Sequence, residues 1–255
     1  AKAQRTHLGE ARVRFGTPFS LRQAIVEGGD DPAALDKIAF RVMDEINAAT
    51  PISATSLAGF ALLGAGERAY TAGEIEEILE PLLDYIDRRG LPGPDAQLCR
   101  GLGLLSTLRE LTTAGVLTRF DGGTDTVWSI APGNHAVAAY YRNGALHHFV
   151  DRAIVEMALV AADRGDLEAD VDAMLAASQQ EALRIRDLLK FEFFFPTKEV
   201  FLHRLGAELD LIAPEWRETP PTPEWIHQTL LAMSGALFAR RTLQTLSLIH
   251  ISEPT

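Results

Sequence analysis

Tyr140-Tyr141-Arg142-Asn143, followed by His147, His148 and Phe149, bring phenols, a guanidinium, an amide and imidazoles into about three helical turns. Such groups can hold a phosphate or a carboxylate. The arginine supplies a forked cation, and the tyrosine hydroxyls donate beside it. On a helix Asn143 and His147 share a face, and so do His147 and Asp151. The same set also suits a docking face whose polar groups bond to the loops of a neighbouring domain. A metal site from His147, His148 and Asp151 is the weaker reading, because adjacent helical residues point about 100° apart. Tyr140, Tyr141, Arg142, Asn143 and His147 are therefore the candidate contacts, to substrate or to another domain. No residue is assigned to catalysis, a metal or a cofactor.

Other chemistry finds little support. The chain has no G-x-S-x-G elbow, no H-E-x-x-H and no P-loop. Gly64-Ala65-Gly66-Glu67-Arg68-Ala69 fits G-x-G-x-x-A, and Asp84 follows at about the spacing of a dinucleotide fingerprint. The context fails, because the preceding segment reads as helix and Thr71 opens a helix of its own. A single cysteine, Cys99, excludes an internal disulfide and a Cys-pair zinc site, and it reads as a packing residue. Phe191, Phe193, Phe194 and Phe195 precede Pro196, with Phe201 close by. They read as a buried corner between helices or as a patch that dips into lipid.

The elements that must position these groups are mostly helical. A hydrophobic fraction of 47% over 255 residues is enough for a core, and Ala and Leu outweigh β-branched runs. The net charge of −11 opposes general affinity for nucleic acid and broad adhesion to anionic lipid. Lys2, Arg5, Arg12 and Arg14 locally reverse that sign against Glu10. They read as a solvated edge or as the margin of a phosphate or phospholipid surface. No secretory signal opens the sequence, and no run of about twenty apolar residues suits a bilayer span.

Val13–Phe15 reads as a short strand ended by Gly16-Thr17-Pro18. Asp31-Pro32 is an N-cap with a first-turn proline, opening a helix to about Ala49. Its Ile38, Val42 and Ile46 fall on one face, and Pro51 stops it. Ser53 caps the next helix, which ends near Gly64-Ala65-Gly66. Thr71-Ala72-Gly73-Glu74 is a capping box ahead of an apolar stripe from Ile75 to Ile86, with Pro81 expected to kink it. A helix over about 96–114, with Leu104, Leu108 and Leu111 facing in, precedes a hairpin of Val116–Phe120 and Val127–Ile130. Three helices and a hairpin follow the order of a winged helix. The helix carrying Tyr140 is expected to run on to about Ala162, with Arg164-Gly165-Asp166 breaking the pattern. Further helices are expected over about 167–190, 197–211 and 223–245, with a proline-rich linker over 214–223. Residues 246–255, LSLIHISEPT, resemble the translation of a sequencing adapter and read as a non-native tail.

Several of these stretches bear a resemblance in one order along roughly residues 5–240. YYRN-x3-H-x-F at 140–149 resembles a signature in the C-terminal part of the bacterial membrane-bound glycerol-3-phosphate acyltransferases. Leu8-Gly9 with Val13-Arg14-Phe15-Gly16-Thr17-Pro18 resembles the strand after that family's last catalytic block. Ile38-Ala39 through Ile46-Asn47, then Pro51, Ser56-Leu57, Ala61-Leu62-Leu63 and Arg68-Ala69-Tyr70-Thr71, are similar to its next two helical stretches. Leu188-Leu189-Lys190-Phe191-Glu192-Phe193-Phe194 resembles a run in actinobacterial members.

The resemblance implies an enzyme that moves an acyl group from acyl-CoA or acyl-carrier protein to the 1-hydroxyl of glycerol 3-phosphate. It would use no cofactor and work at the cytoplasmic face of the membrane as a peripheral protein. Dihydroxyacetone-phosphate acyltransferases are a sister option. The family's catalysis uses H-x4-D, in which the histidine takes the hydroxyl proton and the aspartate holds the imidazole tautomer. None of the seven histidines has an aspartate five positions on, and His203 with Glu208 is the nearest miss. The F-x-E-G-x-R-S block for the phosphate is missing too.

The resemblance thus implies a catalytically silent C-terminal fragment whose partners are its own upstream catalytic domain, the acyl donor and the membrane surface. Residues 1–30 would end the catalytic domain, 31–213 form a helical domain with the hairpin, and 214–245 a linker and truncated helix. The expected fold is mainly α, a helical bundle with a winged-helix-like unit and a short N-terminal strand. A winged-helix transcriptional regulator and a non-enzymatic scaffold are the competing readings. Against the regulator, the helix near 96–114 carries only Arg100 and Arg109, with Glu110 beside them.

Overall fold

The structure is a computed structural model that describes residues 13–66, 68–162, 171–212 and 214. The expected linker, the helix at 223–245, the tail at 246–255, the break at Arg164-Gly165-Asp166 and the cations Lys2, Arg5 and Arg12 lie outside these residues. The chain divides into two compact units, one ending at Pro51 and one beginning at Ile52. Nine α-helices and a three-stranded sheet make up the described residues, so the chain is mainly helical.

The first unit holds α1 (Leu21–Gly28) and α2 (Ala34–Ala49). Ser20 caps α1, its Oγ accepting from the Gln23 N–H at 3.2 Å. Asp31 does not cap α2 as expected. Its Oδ1 accepts from the Ala33 N–H at 2.9 Å, which folds Asp31–Ala33 into a turn, and Ala33 is the N-cap instead. The helix ends at Ala49, with Thr50 extended ahead of Pro51. The expected strand at 13–15 is absent. Residues 13–20 have no regular structure, and Phe15 is 90% exposed. A strand needs a partner to satisfy its backbone, and none of the described residues pairs with this segment. Neither α1 nor α2 buries a single residue.

The second unit is built around α3 (Ala54–Ala65), which is apolar on every side and is buried from Ser56 to Gly64. Ser53 and Ser56 form its capping box. β1 (Tyr70–Thr71) leads into α4 (Ala72–Arg88), whose capping box is the expected one. Thr71 Oγ1 accepts from the Glu74 N–H, and Glu74 Oε2 accepts from the Thr71 N–H at 2.8 Å. Ile75, Leu79, Leu82, Leu83 and Ile86 of α4 enter the core, and the helix continues through Pro81.

The helix expected over 96–114 is two pieces, a 3₁₀ turn at Ala96–Cys99 and α5 (Gly101–Thr113). The break lies at the extended Arg100, and Gly101, which opens α5, has a φ of 48° that favours glycine. Gly103 keeps the two pieces together, since a Cβ there would lie 1.9 Å from the Gln97 carbonyl oxygen. Leu104, Leu108 and Leu111 face the core as expected.

β2 (Leu117–Phe120) and β3 (Val127–Ile130) form the hairpin, in register from Leu117 opposite Ile130 to Phe120 opposite Val127. β1 adds to its other side, with Tyr70 opposite Trp128, giving the order β1-β3-β2. This is winged-helix topology, and β1 is the piece the sequence did not reveal. Two residues are too short a run for any period to register.

The helix expected to run from Tyr140 to Ala162 is broken. α6 (His135–Leu146) stops, and α7 (Val150–Ala162) starts after a turn through His147-His148-Phe149. At this corner the amides of His148 and Phe149 bond three residues back, to Ala145 and Leu146. The corner lets Phe149 drive fully into the core, stacked on Phe60 at 4.9 Å between ring centres and 5.5 Å from Tyr85. α8 (Val171–Leu189) and α9 (Lys198–Ile212) complete the unit close to their expected bounds, and with α7 they enclose a second apolar cluster. No single helix among the described residues is long and apolar enough to cross a membrane.

Candidate functional site

The YYRN segment lies on α6, which packs closely on α3. At Gly59 the two helices lie in ordinary van der Waals range, since a Cβ there would stand 3.4 Å from the Ala138 carbonyl oxygen and 3.7 Å from the Tyr141 Cβ. A Cβ at Gly144 would likewise meet the Ser56 side chain at an ordinary 3.6 Å. With α6 so fixed, its polar residues separate. Tyr140 is 77% exposed, Asn143 is exposed, and Tyr141 and His147 are half-buried. Arg142 is fully buried, the largest side chain in the interior.

The Arg142 guanidinium donates to Asn143 Oδ1 from Nε at 3.2 Å and from a terminal nitrogen at 2.9 Å. Burial pushes its pKa down to about 10, still far above neutrality, so it remains a cation at pH 7. A buried cation that keeps its charge needs acceptors around it, and here Asn143 closes over the fork. Asn143 is therefore both an exposed residue and the lid on Arg142. The two imidazoles of His147 and His148 lie 4.0 Å apart between ring centres at the corner after α6.

A second polar group lies where α4, α7 and α9 meet. Glu208 of α9 is fully buried. Its Oε1 accepts from the Tyr85 hydroxyl at 3.1 Å and lies 2.9 Å from Arg89 Nε. Burial raises the Glu208 pKa, against the opposing pull of Arg89. Arg152 of α7 donates to the fully buried Glu156 at 2.7 Å, and its guanidinium sits 5.8 Å from the Tyr85 ring centre. Arg88 ties α4 to α9 by donating to the Leu211 carbonyl. In the sequence Glu208 stands out only as the near-miss partner of His203. The structure parts them: Glu208 is buried against Tyr85 and Arg89, while His203 is exposed one turn away.

These groups are arranged to hold helices together. Each buried carboxylate meets an arginine, and no cluster of His, Cys, Asp or Glu among the described residues has metal-site geometry. Cys99 is buried, and burial pushes its thiol up to about 11, so it is unreactive packing. The phenylalanine run divides. Phe195 and Phe201 pack edge to face inside the second cluster at 5.5 Å, whereas Phe191 is 86% exposed under the Lys190 ammonium. A cavity of about 670 Å³ opens between the start of α4, α5 and the hairpin, lined by Arg109, Arg119, Asp125 and Trp128 among others. Arg119 there is committed to Asp121 at 2.9 Å. Arg100, the other cation noted near α5, pairs with Glu80 at 2.7 Å.

Residues 1–249 match the family described as the glycerol-3-phosphate acyltransferase C-terminal region, and the chain belongs to that family. It is 35% identical over 249 residues to proteins named "Putative acyltransferase plsB1" from Mycobacterium bovis and Mycobacterium tuberculosis. The matched stretch covers 96% of this chain and 40% of each relative. The chain thus spans well under half the length of the relatives it matches.

Proposed function

We propose that this chain is the C-terminal region of an enzyme that transfers an acyl group from acyl-CoA or acyl-carrier protein to the 1-hydroxyl of glycerol 3-phosphate. The reaction would feed phospholipid synthesis. The observation that carries the reading is the family match along almost the whole chain, together with relatives named as acyltransferases. In this reading the region carries none of the chemistry. Its only close approach to H-x4-D, His203 with Glu208, is occupied by helix packing. The catalytic histidine and aspartate belong to the part of the protein ahead of residue 1, and peripheral attachment to the cytoplasmic membrane face belongs to the whole protein. The exposed Phe191 beside Lys190 is the described residue pair best suited to touch lipid.

A transcriptional regulator is the reading that the winged-helix topology would favour, but fold does not fix function. The α5 position that would enter a DNA groove carries an 86% exposed Leu102, Glu110 and a single exposed arginine outside an ion pair, Arg109. That surface suits protein contact better than phosphate.

Two measurements test the reading. The full-length protein should form lysophosphatidate from glycerol 3-phosphate and a long-chain acyl-CoA, and the 255-residue chain should not. Product from the chain alone would overturn the silent-fragment reading. Sequence-selective, salt-sensitive binding of duplex DNA at a Kd of about 10⁻⁸ M or tighter would overturn the acyltransferase reading in favour of a regulator.

A further inference from the structure

Among the described residues, the helices of the first unit carry a run of exposed apolar side chains. Leu35, Ile38, Val42 and Ile46 recur along α2 at helical spacing and make one apolar stripe, with Met43 at its margin. In a helix that ends in a core such a stripe is hidden. Here Leu35 is 74% exposed, Ile46 52% and Val42 39%, Ile38 is partly buried, and no residue of α2 is fully buried. α1 repeats the pattern, with Leu21, Ile25 and Val26 all more than half exposed and nothing buried. Among the described contacts in the unit, the Glu45 carboxylate accepts the Thr17 N–H at 3.0 Å, and Arg41 stacks on Phe19 at 4.1 Å. Large exposed apolar side chains on two adjoining helices are the kind of feature that marks an interface.

We infer that the outward apolar faces of α1 and α2 are the docking surface for the region that precedes this one in the full-length acyltransferase. The occupant is set by chain length and by direction. The family match describes a C-terminal region, and the matched stretch is only 40% of each relative, so most of those proteins lies ahead of it. The first unit is the part of this chain nearest to that missing mass in sequence, and consecutive segments pack together more often than distant ones. Its stripe is apolar, with charges confined to its edges, as a permanent interface requires and a transient polar one does not. The contact to the preceding region thus runs through α1 and α2, while Arg142 of the YYRN helix turns into its own unit. The inference rests on the chain being the C-terminal region of a longer acyltransferase, but not on which acceptor that enzyme uses.

The test is amide hydrogen exchange on the 255-residue chain and on the full-length enzyme that contains it. Residues 35–46 should exchange with little protection in the chain alone and at least tenfold more slowly in the full-length protein. The α3 amides should be slow in both. Equal rates for 35–46 in the two proteins overturn the inference. Val42→Glu with Ile46→Glu provides a second arm. It should leave the melting temperature of the chain alone unchanged and should lower that of the full-length enzyme, and an unchanged full-length melting temperature overturns the inference. Sedimentation of the chain alone covers the remaining occupant. A dimer that this double variant dissociates would assign the surface to a second copy and overturn the inference. Acyltransferase assays are read separately. Slow exchange at 35–46 in a full-length protein that does not acylate glycerol 3-phosphate would sink the activity reading and leave the docking surface standing.

Discussion

α2 and α3 are neighbours in sequence and opposites in fate. α2 has the clear amphipathic stripe, Leu35, Ile38, Val42 and Ile46, and buries nothing. α3 is apolar on every side, shows no stripe, and is buried almost throughout. A periodic stripe states that a helix has a face to hide. It does not state what hides it. For α3 the cover is within the described chain: α6 lies against Gly59, and α4 and α5 complete the surround. For α2 no described residue is buried, and Leu35 and Ile46 stand 74% and 52% exposed. The same contrast separates Phe149, sealed between Phe60 and Tyr85, from Phe15, which stands 90% exposed.

The contrast makes graded predictions about the chain on its own. Phe149→Ala removes a fully buried aromatic stacked on Phe60 and should cost about 3–5 kcal/mol in urea unfolding. A loss below 1 kcal/mol would show that the α6–α7 corner is not set by this side chain. Arg142→Ala should cost about 1–3 kcal/mol, because it strips the fork from Asn143 and empties a fully buried position. Arg142→Lys, with a single-point cation in place of the fork, should restore only part of that loss. If instead Arg142→Ala leaves unfolding unchanged and lowers glycerol 3-phosphate affinity in the full-length enzyme, the residue serves substrate. Thr71→Ala breaks the α4 capping box and should cost about 1 kcal/mol in the same assay.

A fourth prediction concerns pH. Burial raises the Glu208 pKa above its ordinary value of 4.5, so the folded chain holds that proton to higher pH than the unfolded chain does. Its contribution to stability is then fully present below 4.5 and is lost as pH rises through the raised folded value. Glu208→Gln cannot titrate, so the variant should gain on the wild type as pH rises from 4 to 7. A constant difference across that range would mean that Arg89 fully offsets the burial. The smallest effect is expected in α2. Val42→Ala in the isolated chain should change unfolding by no more than about 0.5 kcal/mol, as at a surface position. A loss of 2 kcal/mol there would erase the distinction between the two units.

Much of the helical content was legible because it is written in local signals. The Ser53 and Thr71 caps, the stop at Pro51, the inward leucines of α5 and the hairpin strands all depend on residues a few positions apart. The misreadings share a different cause. The helix from Tyr140 to Ala162 carries no local breaker, yet it bends because Phe149 gains a place between Phe60 and Tyr85 that a straight helix would deny it. The 3₁₀ turn before α5 reflects the close approach of Gly103 to Gln97. β1 exists only as the neighbour of β3. The candidate site divided for the same reason. Tyr140 and Asn143 look outward and Arg142 inward, though all stand within four residues.

The sequence by itself determined that the chain is mainly helical, where most helices begin and end, and which family its ordered motifs resemble. Those properties follow from capping, periodicity and residue order, which act within a few turns of chain. Only the tertiary structure decided that Arg142 is an interior cation closed over by Asn143, that Glu208 belongs to Tyr85 and Arg89 rather than to His203, and that no described residue of α2 is buried. Burial depends on which distant segments converge. Convergence is set by the packing of α3, α4, α6, α7 and α9 together, and no window of sequence contains it.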